Sequence, residues 1–272
     1  VDHYQNADAK DRLETCGKRP FEAGAIWAAH GAFDLIGLKL PRKQWREAGE
    51  KALRAGRHYD GKAGFRAAGV AMPKELLISC GDIALEAGQF YEALDAYEDA
   101  KATTKLIQTG ERAFALGLWD EGQEGFFRAG TEPSKEQALR CAEVALERGD
   151  CVSAKDAFEF AGVELPRERF LALGDRALRE KDIWAAIRAF DAIGATERLL
   201  DCGNCAMTER NVKTAQMAFE RAGSAEGLEA LTRILIGKWL PEIMSTRRSV
   251  EDRVARAAAA ADAAAPRGVP GE

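Results

Sequence analysis

Six cysteines, three histidines and 44 acidic residues are the side chains of this 272-residue chain that could hold a metal or do redox or acid–base chemistry. Cys202-Gly203-Asn204-Cys205 has the C-x-x-C spacing of a thiol–disulfide pair or of half a zinc site. A redox pair of that kind is expected beside a strand–helix–strand pattern, and zinc needs two further ligands nearby. The sequence around 202–205 offers neither. Cys16, Cys80, Cys141 and Cys202 instead share one register of a repeat whose other copies carry Ala48, Thr109 and Leu173. That is the behaviour of a small buried apolar residue, not of a ligand. No metal, cofactor or disulfide is therefore expected. His58 shares a register with Ile26, Phe90, Trp119 and Ile183, which predicts packing. His30 follows a small residue on a predicted helix, and His3 falls in a terminal arm over residues 1–10. No P-loop, G-x-G-x-x-G, H-E-x-x-H or nucleophile–His–Asp order occurs, so no carboxylate is singled out as catalytic. The chain reads as a non-enzyme.

The registers come from an internal repeat. Small anchors at Gly17, Gly49, Gly81, Gly110, Ala142, Gly174 and Gly203 stand 32 or 29 residues apart. Twelve residues after each anchor is another small residue: Ala29, Gly61, Ala93, Gly122, Ala154, Ala186 and Ala215. Sixteen after is an aromatic: Phe33, Phe65, Tyr97, Phe126, Phe158, Phe190 and Phe219. Mostly large apolar residues four before and four after the anchor make one helical stripe. A glycine seven after the anchor (Gly24, Gly56, Gly88, Gly117, Gly149; then Lys181 and Arg210) marks a helix stop. A second stripe follows, as in Phe90, Ala93, Tyr97 and Ala100. Each repeat is thus a helical hairpin, with the small residues letting its two helices approach and the aromatic filling the space between neighbouring hairpins. Pro41, Pro73 and Pro166 stand at the start of following helices; Thr103 and Thr196 are the expected N-caps in the shorter links, and Ser134 with Gln137 makes a capping box.

The fold expected is all-α: a right-handed α-solenoid of about seven helical hairpins plus a C-terminal capping helix. Residues 1–10 are an arm, 11–226 the repeats, 227–244 the capping helix and 245–272 an Ala/Arg-rich tail. Pro20 is expected to kink or shorten the first helix. Leu228, Leu231, Ile234, Leu235 and Trp239 suit the capping helix; Ser249 and Asp252 could cap a helix over about 250–265, with disorder from Pro266 on.

Large residue, Gly/Ala anchor, small residue, aromatic, then Ala (Ala68, Ala100, Ala129, Ala161, Ala222) and Pro resemble the tetratricopeptide repeat over about residues 13–223. That family repeats every 34 residues and carries an aromatic three after the anchor, where this chain has Ala52, Ala84, Ala113, Ala145, Ala177 and Ala206. The chain therefore looks like a degenerate member, similar also to the helical tails of vesicle-coat and intraflagellar-transport proteins. The resemblance implies a concave groove lined by the first helix of each hairpin. Transferred position by position, it places Glu50, Asp82, Glu111, Glu143 and Asp175 in that groove as an acidic ladder, beside an apolar strip of Ile78, Ile107, Leu139 and Leu171. The Lys and Asn residues with which the family clamps acidic C-terminal peptides are absent from these positions.

Composition narrows the function. A net charge of −5 and a pI near 5.5 argue against sequence-independent nucleic-acid binding. No run of about 18 apolar residues occurs, so no membrane span is expected, and Val1-Asp2-His3-Tyr4 does not resemble a secretory leader. These features predict a cytoplasmic interaction scaffold or adaptor that holds a basic and apolar segment of another protein in the groove. The competing classes are a structural or regulatory helical segment of a larger, coat-like assembly, and an enzyme. Nothing in the sequence sets an oligomeric state.

Overall fold

The computed structural model describes residues 2–239 and 244–248, and among these there is helix and turn but no strand. Fourteen helices pair into seven hairpins: α1 (Asp2–Glu22) with α2 (Ile26–Ile36), α3 (Arg42–Leu53) with α4 (His58–Ala68), and α5 (Lys74–Glu86) with α6 (Phe90–Asp99). There follow α7 (Thr103–Ala115) with α8 (Trp119–Arg128), α9 (Lys135–Glu147) with α10 (Cys151–Ala161), α11 (Arg167–Arg179) with α12 (Ile183–Ala192), and α13 (Thr196–Thr208) with α14 (Val212–Arg221). A fifteenth helix, α15 (Ala225–Ile234), runs into a π-helical segment, Leu235–Trp239, and residues 244–248 are again helical. The chain divides into two compact units, Val1–Leu165 with five hairpins and Pro166–Glu272 with two hairpins and α15. In the first unit the second helices neighbour one another in order, α2, α4, α6, α8 and α10, and first helices meet at α3–α5 and α7–α9, giving two layers. In the second unit α12 meets α14 and α13 meets α15.

The anchors explain why the hairpins close. A β-carbon on Gly81 would stand 2.5 Å from the Tyr97 ring, and one on Gly174 2.3 Å from the Phe190 ring. The aromatic sixteen residues on therefore lies over the anchor of its own hairpin. It also reaches the next one: Phe33 meets Trp45 at 6.0 Å between centroids, and Phe65 packs with Leu77 and Cys80. The expectation that this ring only fills the space between hairpins was incomplete.

Another column, fifteen after the anchor, also holds only small residues: Ala32, Gly64, Ala96, Gly125, Ala157, Ala189 and Ala218. Gly64 crosses Gly49 so closely that a β-carbon would lie 2.7 Å from the Gly49 Cα, and Gly125 crosses Gly110 in the same way at 2.9 Å.

The turns follow the expected glycines. Seven after the anchor the backbone is left-handed at Gly24 through Gly149 and also at Lys181 and Arg210, a region that costs glycine nothing. Gly117 uses this to bring its turn against the backbone of Ala145, 2.7 Å from where its β-carbon would be. An aromatic at the Ala145 register would crowd that approach, which gives a physical reason for the alanine in place of the family's aromatic.

The caps only partly match. Ser134 and Gln137 form the capping box. Thr103 and Thr196 do not cap: they are the first helical residues, and Ala102 and Ala195 hold the N-cap positions without a side-chain bond. Asp150, Asp182, Asn211 and Ser224 cap α10, α12, α14 and α15 instead. Helix α1 begins at Asp2, within the stretch expected as an arm, and continues through Pro20 to Glu22. Pro20 removes the bond that a residue there would donate to the Cys16 carbonyl, but it stands only two residues before the helix end at Glu22, so no later turn is broken. Its carbonyl accepts from the Ala25 N–H at 2.8 Å. At the other end Leu231 and Trp239 are buried, with Leu228, Ile234 and Leu235 packed beside them. The helix expected over about 250–265 and the disorder expected from Pro266 lie outside the described residues.

Candidate functional site

The five acidic residues of the expected ladder all sit on first helices, but not as a row of free carboxylates. Asp82 accepts from the Tyr97 hydroxyl at 2.6 Å and from Lys105 Nζ at 2.8 Å. Asp175, in the second unit, pairs with Arg198. The two clasps use the same registers. In each, the acid one after the anchor meets a cation 24 after it, and that cation lies over the aromatic at sixteen: Lys105 is 5.9 Å from the Tyr97 ring centroid and Arg198 5.3 Å from that of Phe190. Position 24 is Pro41, Pro73 and Pro166 in longer links and Lys105 and Arg198 in the shorter ones. The acidic column is thus partly a fastening between consecutive first helices. Glu50 is held within α3 by Arg46 at 2.9 Å and Arg54 at 3.5 Å. Of the five acids, Glu50, Asp82 and Asp175 are thus ion-paired to neighbouring cations.

Burial by itself would raise the Asp82 pKa, but the hydrogen bonds from Lys105 and Tyr97 outweigh it and hold the carboxyl below its usual value. A depressed native pKa stabilises the fold above the unfolded value, about 3.9, and the benefit disappears as the pH falls through the native one. Asp82→Asn should therefore lower stability by about 0.5–1 kcal/mol at pH 7, since the pair is well exposed. The difference from wild type should shrink as the pH drops below about 4. Urea melts at several pH values measure it; a deficit independent of pH would mean that the ionised carboxylate contributes nothing.

Glu111, Leu139 and Glu143 are brought together. They line one cleft of about 620 Å³ between α7 and α9, with Phe114, Val144 and Arg140. Glu111 also accepts from Gln137 Nε2 at 3.2 Å. Arg140 pairs with Glu136 at 3.2 Å. Ile78 is half-buried and packs into the core of the second and third hairpins. Ile107 is half-buried on α7, and Leu171 packs into the core of the second unit. The apolar strip is therefore shared between core and surface.

The cysteines follow their packing register on the later hairpins. Cys80, Cys141 and Cys202 are buried, and burial pushes their thiols up to about 12; Cys205 is half-buried and Cys16 exposed. Among the described residues no group of three His, Cys, Asp or Glu side chains is placed to hold a metal ion. His58 is buried, as its register predicts, but it has a polar role that the pattern did not reveal. Its Nε2 lies 2.8 Å from Asp99 Oδ2, which Lys62 also reaches at 2.7 Å, and its backbone N–H donates to Glu92 at 3.0 Å. These contacts tie α4 to α6.

Sequence reasoning, directed to the first helices, missed the exposed aromatics. Trp27, Tyr59, Tyr91, Phe127 and Trp184 all stand out to solvent, and all five are on second helices.

Fold and surface together define an all-α protein of stacked helical hairpins, in two layers within the first unit, with clefts open to solvent on both layers. Among the described residues no helix is long and apolar enough to cross a membrane. No family model matches the chain, and no curated protein matches it. Among solved structures it is similar to a tetratricopeptide repeat protein from Parabacteroides merdae, at 14% identity over 84% of this chain and 98% of that one. The TM-score is 0.22, too low to carry an argument, and the fold assignment rests on the hairpins themselves.

Proposed function

We propose that the chain is a non-enzymatic, cytoplasmic protein-interaction scaffold of degenerate tetratricopeptide type. On this reading it takes a basic and apolar segment of another protein on its first-helix layer. The observation that carries this reading is the cleft between α7 and α9, where Phe114, Leu139 and Val144 give apolar walls and Glu111 and Glu143 supply carboxylates. A lysine or arginine suits such a surface, since its stem covers apolar wall while its head reaches a carboxylate. Stacked hairpins also present an extended surface that no single hairpin could. Within the first unit, Glu50, Ile78 and Ile107 are also on first helices; Asp175 and Leu171 hold the corresponding positions in the second unit, described by itself. Asp82 and Asp175, already clasped, contribute least.

A photoreactive residue in place of Arg140, on the cleft wall, tests the reading in a cell extract. The cross-linked partner peptide should carry Lys or Arg beside large apolar residues. Its yield should fall with Glu111→Lys and with added salt, which screens charges beyond about 8 Å at physiological strength. An acidic partner peptide, or a yield indifferent to Glu111→Lys, would overturn the groove reading.

A further inference from the structure

The second-helix layer has a site of its own. Seventeen residues after the anchor, six hairpins carry a charged residue: Asp34, Arg66, Glu98, Glu159, Asp191 and Glu220. The fourth carries Phe127, 75% exposed on α8. The repeat makes this a solvent-facing position, and a phenyl ring there is not needed by the core. Phe127 lines a cleft of about 580 Å³ with Tyr91 from α6 and Phe160 from α10, and the same cleft is lined by Asp120, Glu124 and Glu132.

The carboxylates are not equivalent. Glu124 is held at 2.7 Å by Arg128, which also reaches across to Glu98 at 3.1 Å and to Asp95, so this acid and this cation are occupied in joining α8 to α6. Asp120 sits in the first turn of α8, where the helix dipole favours its charge. Glu132, in the loop after α8, has no such reason, and among the described residues neither Asp120 nor Glu132 has a hydrogen-bonding or ion-pairing partner. The Asp120 carboxylate is felt locally: the Tyr91 hydroxyl is raised above its ordinary pKa by burial first and then by Glu121, Asp120 and Glu124, against the Arg128 cation. Aromatic faces attract cations, and carboxylates complete the complementarity.

We propose that the cleft formed by Tyr91, Phe127 and Phe160 with Asp120 and Glu132 receives an arginine side chain from an extended segment of a partner protein. The planar guanidinium stacks on aromatic faces and pairs bidentately with carboxylates, whereas an ammonium meets ring or carboxylate only as a point charge, without stacking or a fork. The volume of about 580 Å³ has room for one or two side chains, which an extended segment can insert without the bulk of a helix some 10–12 Å across. This site is independent of the one between α7 and α9, which lies on the other helix layer.

The test uses the full chain and a fluorescein-labelled peptide of alternating glycine and arginine, followed by anisotropy in low-salt buffer, with glycine–lysine and glycine–glutamate peptides alongside. Phe127→Glu installs the type of residue found at this register in other hairpins and adds a negative charge. If charge alone held the peptide, this variant would bind more tightly. The cleft requires the opposite, a loss of about three- to fivefold. Asp120→Asn with Glu132→Gln should also weaken binding, Glu111→Lys should leave it unchanged, and arginine should be preferred over lysine by about threefold. Binding by Phe127→Glu as tight as or tighter than wild type overturns the proposal. So does a loss that follows Glu111→Lys instead, equal binding of the glutamate peptide, or no saturable binding of the arginine peptide to wild type.

Discussion

Phe158→Ala and Phe190→Ala should each destabilise the fold by about 3–5 kcal/mol, the range for deleting a buried phenyl ring. Both rings are buried: Phe158 on α10 of the first unit and Phe190 on α12 of the second. Phe190 covers the Gly174 backbone on one side and lies under the Arg198 guanidinium on another, so its loss opens a cavity and also removes the platform of the Asp175–Arg198 clasp. Because a repeat couples mainly to its neighbours, the damage should be local and split the melt into two steps, with the altered unit unfolding first. Denaturant melts followed by a probe placed in each unit measure this. A loss under about 1 kcal/mol in a single transition would contradict the burial.

The second large effect comes from adding one carbon. Gly64→Ala and Gly125→Ala should cost about 1–3 kcal/mol each. The new β-carbon of Gly64→Ala would stand 2.8 Å from the Trp45 carbonyl oxygen as well as against Gly49, and that of Gly125→Ala 2.9 Å from the Leu106 carbonyl oxygen. These obstacles are backbone atoms, so the only relief is to part the two helices of the hairpin. Gly31→Ala, inside α2 with no atom within 4 Å, is the matched control and should stabilise by about 0.5–1 kcal/mol, because alanine loses less freedom in a helix. Equal stability of Gly64→Ala and Gly31→Ala would show that the α3–α4 crossing is looser than this geometry.

What could be read in the sequence was whatever recurs with one physical cause. The anchors, the turn glycines such as Gly117 and the ring column at Phe158 and Phe190 each serve a backbone or packing need present in every copy. The small column at Gly64 and Gly125 has the same kind of cause and was open to the same counting. It was missed because it lies directly before the aromatic, which dominates that stretch. The acidic column reads less plainly. Asp82 and Asp175 fasten first helices through Lys105 and Arg198, and recurrence alone does not distinguish a fastening from a binding surface. Phe127 was hidden for the reverse reason. It is an exception within its column, and a search for repeating features passes over the one copy that breaks the rule.

The overlay of each aromatic on the anchor of its own hairpin bears on how the chain folds. That contact spans only sixteen residues of sequence, in Tyr97 over Gly81 as in Phe190 over Gly174. Contacts of such short range carry little loop-closure entropy and go with folding in microseconds to milliseconds. During synthesis, a hairpin leaving the ribosome can shield this ring as soon as its own second helix is out, before its neighbour exists. The growing chain would then offer chaperones and aggregating partners little more than the apolar flank of its most recent hairpin.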